Sequence, residues 1–119
     1  MALDGLEASV AAGRSGPVIT LSGAADLVSA AELTALISGQ LSRGTVELTI
    51  DASGLRFADT ASIRVLVLAA TTLNERGGRL VLLHPQRPVA RILAVLGVAE
   101  MFTIRRATMG EPEAEAGAG

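Results

Sequence analysis

Cysteine is absent from the 119 residues. That excludes disulfides and thiolate metal sites, and it fits a cytoplasmic home. Aromatic side chains are almost absent too: Phe57 and Phe102 are the only two. The formal net charge is −2 and no basic stripe runs along the chain. Nucleic acid needs clustered cations and stacking rings, so it is not an expected ligand. Mean hydropathy is high, at +0.48, yet no apolar run approaches the ~20 residues of a membrane span. Asp4 and Glu7 stand where a signal peptide would carry a basic segment ahead of an apolar block, so none is expected. The only histidine, His84, precedes Pro85 with no Ser, Cys or second His clustered near it, and reads as a turn residue. A P-loop, a metal-ligand cluster and a nucleophile–base pair are all missing. An enzyme, a cofactor and a metal are therefore not expected.

What the chain does have is one domain's worth of ordered alternation. Residues 6–11 alternate weakly, as an edge strand would. Arg14 to Pro17 reads as a turn, with Gly13 and Gly16 supplying the flexibility, and Val18 to Leu21 as a second strand, antiparallel to the first because so short a link allows only a hairpin. Gly23 to Val28 reads as a loop. Ser29 with Glu32 three residues on has the form of a capping box, and Leu33, Leu36, Ile37 and Leu41 follow at helical spacing. Gly44 ends that helix, and Val46 to Ile50 is a third strand before a polar turn, Asp51 to Gly54.

The central helix is expected over about Thr60 to Arg76. At 3.6 residues per turn, Ile63, Leu66, Ala70 and Leu73 share its buried face, while Arg64, Leu68, Thr71 and Glu75 face outward. Gly77-Gly78 stops it. Leu80 to Leu83 is an unbroken apolar run, as in a strand covered on both faces. Pro88 suits the first turn of a last helix, whose stripe is Val89, Ile92, Leu93 and Leu96 and whose cap is Gly97. Met101 to Ile104 is a final strand, and Arg105-Arg106 a solvated end too short for a nucleic-acid site. Residues 107–119, A-T-M-G-E-P-E-A-E-A-G-A-G, are acidic and small, and read as a disordered tail beyond a domain of residues 1–106. The order is β-β-α-β-α-β-α-β. The fold class is α/β: an opening hairpin, then a mainly parallel sheet with right-handed βα crossovers. No internal repeat is apparent.

Chemistry concentrates at Asp59-Thr60-Ala61-Ser62, where strand and loop give way to the central helix. A helix start has N–H groups without intrahelical partners and the positive end of the dipole. Small hydroxyl residues there can cap the helix, or carry a phosphate that those N–H groups would hold. Both readings apply to Thr60, and Asp59 is as readily a cap as a functional group. Asp26 is expected at the same end of the sheet, either in an Asx-turn or in a binding surface. Leu68 is either one more lone exposed leucine or a partner contact.

In order and spacing, four stretches resemble the STAS domain shared by sulphate transporters and bacterial anti-sigma factor antagonists. They are L-S-G-A-A-D-L at 21–27, L-T-I-D-A-S-G-L-R-F-A-D-T-A-S-I-R-V-L at 48–66, G-G-R-L-V-L-L at 77–83, and the run from Pro88 to Gly97. The resemblance covers nearly all of residues 6–104. It implies a small cytoplasmic switch that, unphosphorylated, binds an anti-sigma factor, often a serine kinase, and so frees a sigma factor. A phosphate at the start of the central helix would abolish binding, and a phosphatase would restore it. Asp26, Asp59, Thr60, Ala61, Ser62, Arg64 and Leu68 are the expected partner-binding residues. Against the family's Asp-Ser-(Ser/Thr)-Gly, this chain has Ala61 at the usual acceptor position and Ser62 in place of glycine. In the stressosome branch the acceptor directly follows the aspartate, which matches Thr60. Thr60 and Ser62 are the phospho-acceptor candidates. The alternative is a scaffold subunit, never phosphorylated, of a stressosome-like or lipid-transport ABC assembly.

Overall fold

Pairing between strands, more than local propensity, decides where the elements of this chain end. The structure, a computed structural model, describes residues 5–106; the tail expected at 107–119 lies outside the described residues. The elements run β1 (Leu6–Ala12), β2 (Pro17–Ala25), α1 (Leu27–Leu41), β3 (Glu47–Ala58), α2 (Thr60–Glu75), β4 (Arg79–Leu83), α3 (Arg87–Leu96), a 3₁₀ turn (Ala99–Met101) and β5 (Thr103–Arg105). The sheet order is β1-β2-β3-β4-β5. β1 and β2 form the antiparallel hairpin, and β2 to β5 are parallel neighbours joined through helices. This is the expected α/β architecture, and no helix among the described residues is long and apolar enough to cross a membrane.

The core follows from strand alternation. Ile19 and Leu21 of β2, Leu48, Ile50 and Ala52 of β3, and Leu80 and Leu82 of β4 form one cluster with the inward faces of all three helices. Ile63, Leu66, Ala70 and Leu73 are buried as their spacing predicts, with Ala69 beside them. Val81, pointing away from Leu80 and Leu82, is buried as well but stands outside that cluster, so β4 is enclosed on both sides as its unbroken apolar run implies. The Gly77-Gly78 stop works by geometry. Gly77 takes φ +79, and a Cβ on Gly78 would collide with the Val46 carbonyl, to which Arg79 donates its amide hydrogen at 2.9 Å.

Three expectations are corrected. First, β2 and β3 are much longer than their apolar runs. The segment 23–25, expected as loop, and Asp51 to Gly54, expected as turn, are strand, because Gly23 pairs with Leu55, Ala24 with Phe57 and Ala25 with Ala58. Each small, polar extension supplies the other's hydrogen-bond ladder, and irregularities in register at Thr20/Ser22 and Gly23/Ala24 absorb the turn-forming residues. The Asp51 carboxylate accepts from the Ser53 amide at 3.0 Å, but the chain bends there without reversing. Second, α1 starts three residues earlier than expected, with Asp26 as its cap in place of Ser29. Third, Leu96 is 41% exposed. The buried stripe of α3 is Val89 and Leu93 with Ile92 half-buried, and the helix end carries Leu96 past the sheet. A smaller shift concerns the last strand: Met101 closes the 3₁₀ turn, and β5 begins at Thr103 after the buried Phe102.

Candidate functional site

The extended ends of β2 and β3 lie side by side and deliver both following helices to one corner. Asp26 caps α1: its Oδ1 accepts from the Ser29 amide at 3.1 Å, and Ser29 Oγ accepts from the Asp26 amide at 3.0 Å. The reciprocal pair is a capping box, made by Asp26 and Ser29 where Ser29 and Glu32 were expected. Asp59 caps α2 in the same way, accepting from the Ser62 amide at 2.9 Å. The two starts are also tied together. The Asp59 amide donates to the Ala25 carbonyl at 3.0 Å, and Ser62 Oγ donates to the Asp26 carbonyl at 3.3 Å.

These bonds sort the candidate residues. Asp26 and Asp59 sit at the same end of the sheet, as expected, but each has its carboxylate engaged as a helix cap. Ser62 is 1% exposed and already hydrogen-bonded inside the corner, so a kinase would have to open the helix start to reach it. Thr60 is not the cap. It is the first helical residue, it is exposed, and its hydroxyl makes no hydrogen bond among the described residues. Ala61 is half-buried beside it, and Arg64 is exposed one turn along. Leu68 is 62% exposed, as its place on the helical wheel predicts. It also borders a shallow groove of about 180 Å³ between α1 and α2, opposite Ile37 and Leu41.

Sequence reasoning missed three surface residues. Leu27 and Val28 are 74% and 72% exposed in the first turn of α1. Phe57, two residues before Asp59, is 49% exposed. Leu27 and Val28 escaped notice because their segment read as a loop. The signal was nevertheless present. Ala25-Asp26-Leu27-Val28-Ser29 and Ala58-Asp59-Thr60-Ala61-Ser62 share the pattern A-D-x-x-S, which makes Leu27 and Val28 the counterparts of Thr60 and Ala61. The corner thus exposes apolar side chains at two helix starts that hydrogen bonds tie together. Among the described residues no group of His, Cys, Asp or Glu could hold a metal ion.

Comparison with known proteins agrees with the fold. The family model described as "Mlab, STAS domain" matches residues 8–105. An anti-sigma factor antagonist from Mycobacterium paratuberculosis superposes with a TM-score of 0.78 at 21% identity, over 87% of this chain and 88% of that one. Unphosphorylated SpoIIAA, an anti-sigma factor antagonist, gives 0.74 at 21% identity, over 86% and 89%. The phosphorylated form of Bacillus SpoIIAA gives 0.69 at 21%, over 86% and 92%. At such identities the likeness establishes the fold. No curated protein matches the chain.

Proposed function

We propose that this chain, which belongs to the STAS domain family, is an anti-sigma factor antagonist. It would bind a kinase-type anti-sigma factor through the corner built by α1, α2 and the end of β3, and so release a sigma factor. Phosphate on Thr60 would end the binding, and a phosphatase would reset it. One observation carries this reading: Thr60 is exposed in the first turn of α2 with its hydroxyl unengaged among the described residues, at a corner that also exposes Leu27 and Val28 at the start of α1 and Phe57 at the end of β3. A phosphate there adds about −1.5 to −2 charges. A dianion among apolar contacts is poorly desolvated, and it would stand beside the Asp59 carboxylate at the same helix start. Asp26, Asp59 and Ser62 hold the surface in shape, whereas Thr60, Ala61, Arg64 and Leu68 face the partner. The expected location is the cytoplasm.

A second reading is supported by Ala61. The family's usual acceptor position holds a methyl group here, and a permanent interface has no need of a hydroxyl. The chain would then be a scaffold subunit of a stressosome-like or lipid-transport ABC assembly. Incubating wild type, Thr60→Ala and Ser62→Ala with the cognate kinase and ATP, followed by phosphosite mapping, separates the two. The switch predicts phosphate on wild type and on Ser62→Ala, none on Thr60→Ala, and weakened partner binding by Thr60→Glu. Wild type that takes up no phosphate from its true partner kinase would sink the switch. Capture of a transporter ATPase or a large oligomer from the native host would support the scaffold.

A further inference from the structure

A second surface lies away from the corner's hydroxyls, where α3 passes the end of β3. Phe57, Pro88, Ile92 and Val95 line an apolar groove of about 470 Å³, flanked by Arg87 and Arg91. Val95 is the most exposed large apolar residue of the described chain and Phe57 is half exposed. Among the described residues the one salt bridge is Arg79 with Glu47, so both groove arginines lack a carboxylate partner there. We propose that the occupant of this groove is the chain's own acidic segment, residues 107–119.

Three observations select it. The first is where the chain leaves the fold. The His84 amide donates to the Arg105 carbonyl at 2.7 Å, and Arg105 pairs with Leu83. The segment therefore departs at the sheet end where α3 begins with Arg87. Fully extended, its thirteen residues reach up to ~45 Å, more than the longest 37 Å extent of the fold.

The second is charge. Residues 5–106 carry ten arginines against eight carboxylates, a net +2, while Glu111, Glu113 and Glu115 give 107–119 a net −3. Opposite blocks of one chain attract, and the effect falls with salt. The third is spacing. Alternate residues of an extended segment point the same way, so the three carboxylates recur every ~6.8 Å. Arg87 and Arg91, one turn apart on α3, are offset by ~6 Å along its axis. Two neighbouring glutamates match the two arginines in step, and Ala114 and Ala116, on the alternate positions, are small enough for the apolar floor.

The missing cysteine makes the test clean, because Ala116→Cys gives a single thiol for a nitroxide label. In ¹⁵N-labelled full-length protein at about 0.1 M salt (Debye length ~10 Å), the amides of Phe57, Arg91 and Val95 should fall to about half their intensity or less, with recovery at about 1 M (~3 Å). Amides at the far end of α1, near Leu41, should be unaffected. Glu111→Gln with Glu113→Gln and Glu115→Gln should abolish the broadening. Arg87→Glu with Arg91→Glu should abolish it too, and adding lysine at 111, 113 and 115 to that variant should restore it. Broadening that is absent, spread evenly over the surface, or indifferent to these charges overturns the proposal. So does broadening that persists when spin-labelled ¹⁴N protein is mixed with unlabelled ¹⁵N protein, since the occupant would then be a second copy's tail.

Discussion

Replacing Asp59 by alanine and, separately, Thr60 by alanine tests the assignment on which the corner's function depends. Asp59 Oδ1 holds the Ser62 amide at 2.9 Å, and Ser62 is 1% exposed. Alanine at 59 removes that acceptor and leaves the amide poorly placed to find water. Loss of an N-cap costs ~1 kcal/mol, within a range of about 0.5–2, and an unsatisfied buried donor puts the loss toward the upper end. Thr60 is exposed and its hydroxyl bonds to nothing among the described residues. Alanine is the better helix former by a few tenths of a kcal/mol, so Thr60→Ala should stay within about ±0.5 kcal/mol of wild type. In a domain of this size 1 kcal/mol moves the Tm by roughly 4 °C or somewhat more. Asp59→Ala should therefore melt about 4–8 °C lower and Thr60→Ala within ~2 °C of wild type. Urea titration by circular dichroism, with a thermal scan at the same pH, measures both. If Thr60→Ala loses as much as Asp59→Ala, the threonine hydroxyl is the cap, and the case for Thr60 as a free acceptor collapses.

Leu66 is fully buried in the core, so Leu66→Ala should cost ~2–5 kcal/mol; a loss under ~1 kcal/mol in the same titration would mean that α2 is turned the other way. Leu68→Asp should leave the melt nearly unchanged and weaken partner capture; unfolding instead would show that Leu68 seals the groove between α1 and α2. Ser62→Ala should cost about 0.5–1.5 kcal/mol for its lost hydrogen bond. Ser62→Asp, which forces a charge into a buried position, should cost several times more; a Ser62→Asp variant as stable as wild type would return Ser62 to the acceptor candidates.

Elements whose own side chains define them were legible in the sequence. The faces of α2 follow from helical spacing, β4 from its continuous apolar run, and the end of α3 from Gly97 at φ +73. Elements defined by a neighbour were not. Nothing within S-G-A-A or D-A-S-G favours a strand, L-R-F-A alternates over only four residues, and the pairing of Ala24 with Phe57 and Ala25 with Ala58 exists only once both segments are in place. The boundary of α1 was misplaced for the same reason: with β2 cut short at Leu21, Asp26 was left inside a loop and Ser29 became the nearest cap. The candidate site was legible as a location. The sorting of its residues was not, because which oxygen accepts which amide depends on how two helix starts meet.

The meeting of those starts bears on what the corner can do. The pattern A-D-x-x-S occurs at each, but the serines differ in use. Ser29 closes back on its own aspartate's amide at 3.0 Å. The equivalent amide, that of Asp59, is bonded across to Ala25 at 3.0 Å. Ser62 is thereby free to bond the Asp26 carbonyl at 3.3 Å, which fastens the second helix to the first. The residues between aspartate and serine, Leu27 and Val28 on one helix and Thr60 and Ala61 on the other, take no side-chain part in these bonds. They can vary without loosening the base. A charge added at Thr60 would then change the surface a partner meets while the fold beneath keeps its hydrogen bonds, as a reversible switch requires. The scaffold reading uses the same base and differs only in leaving Thr60 unmodified.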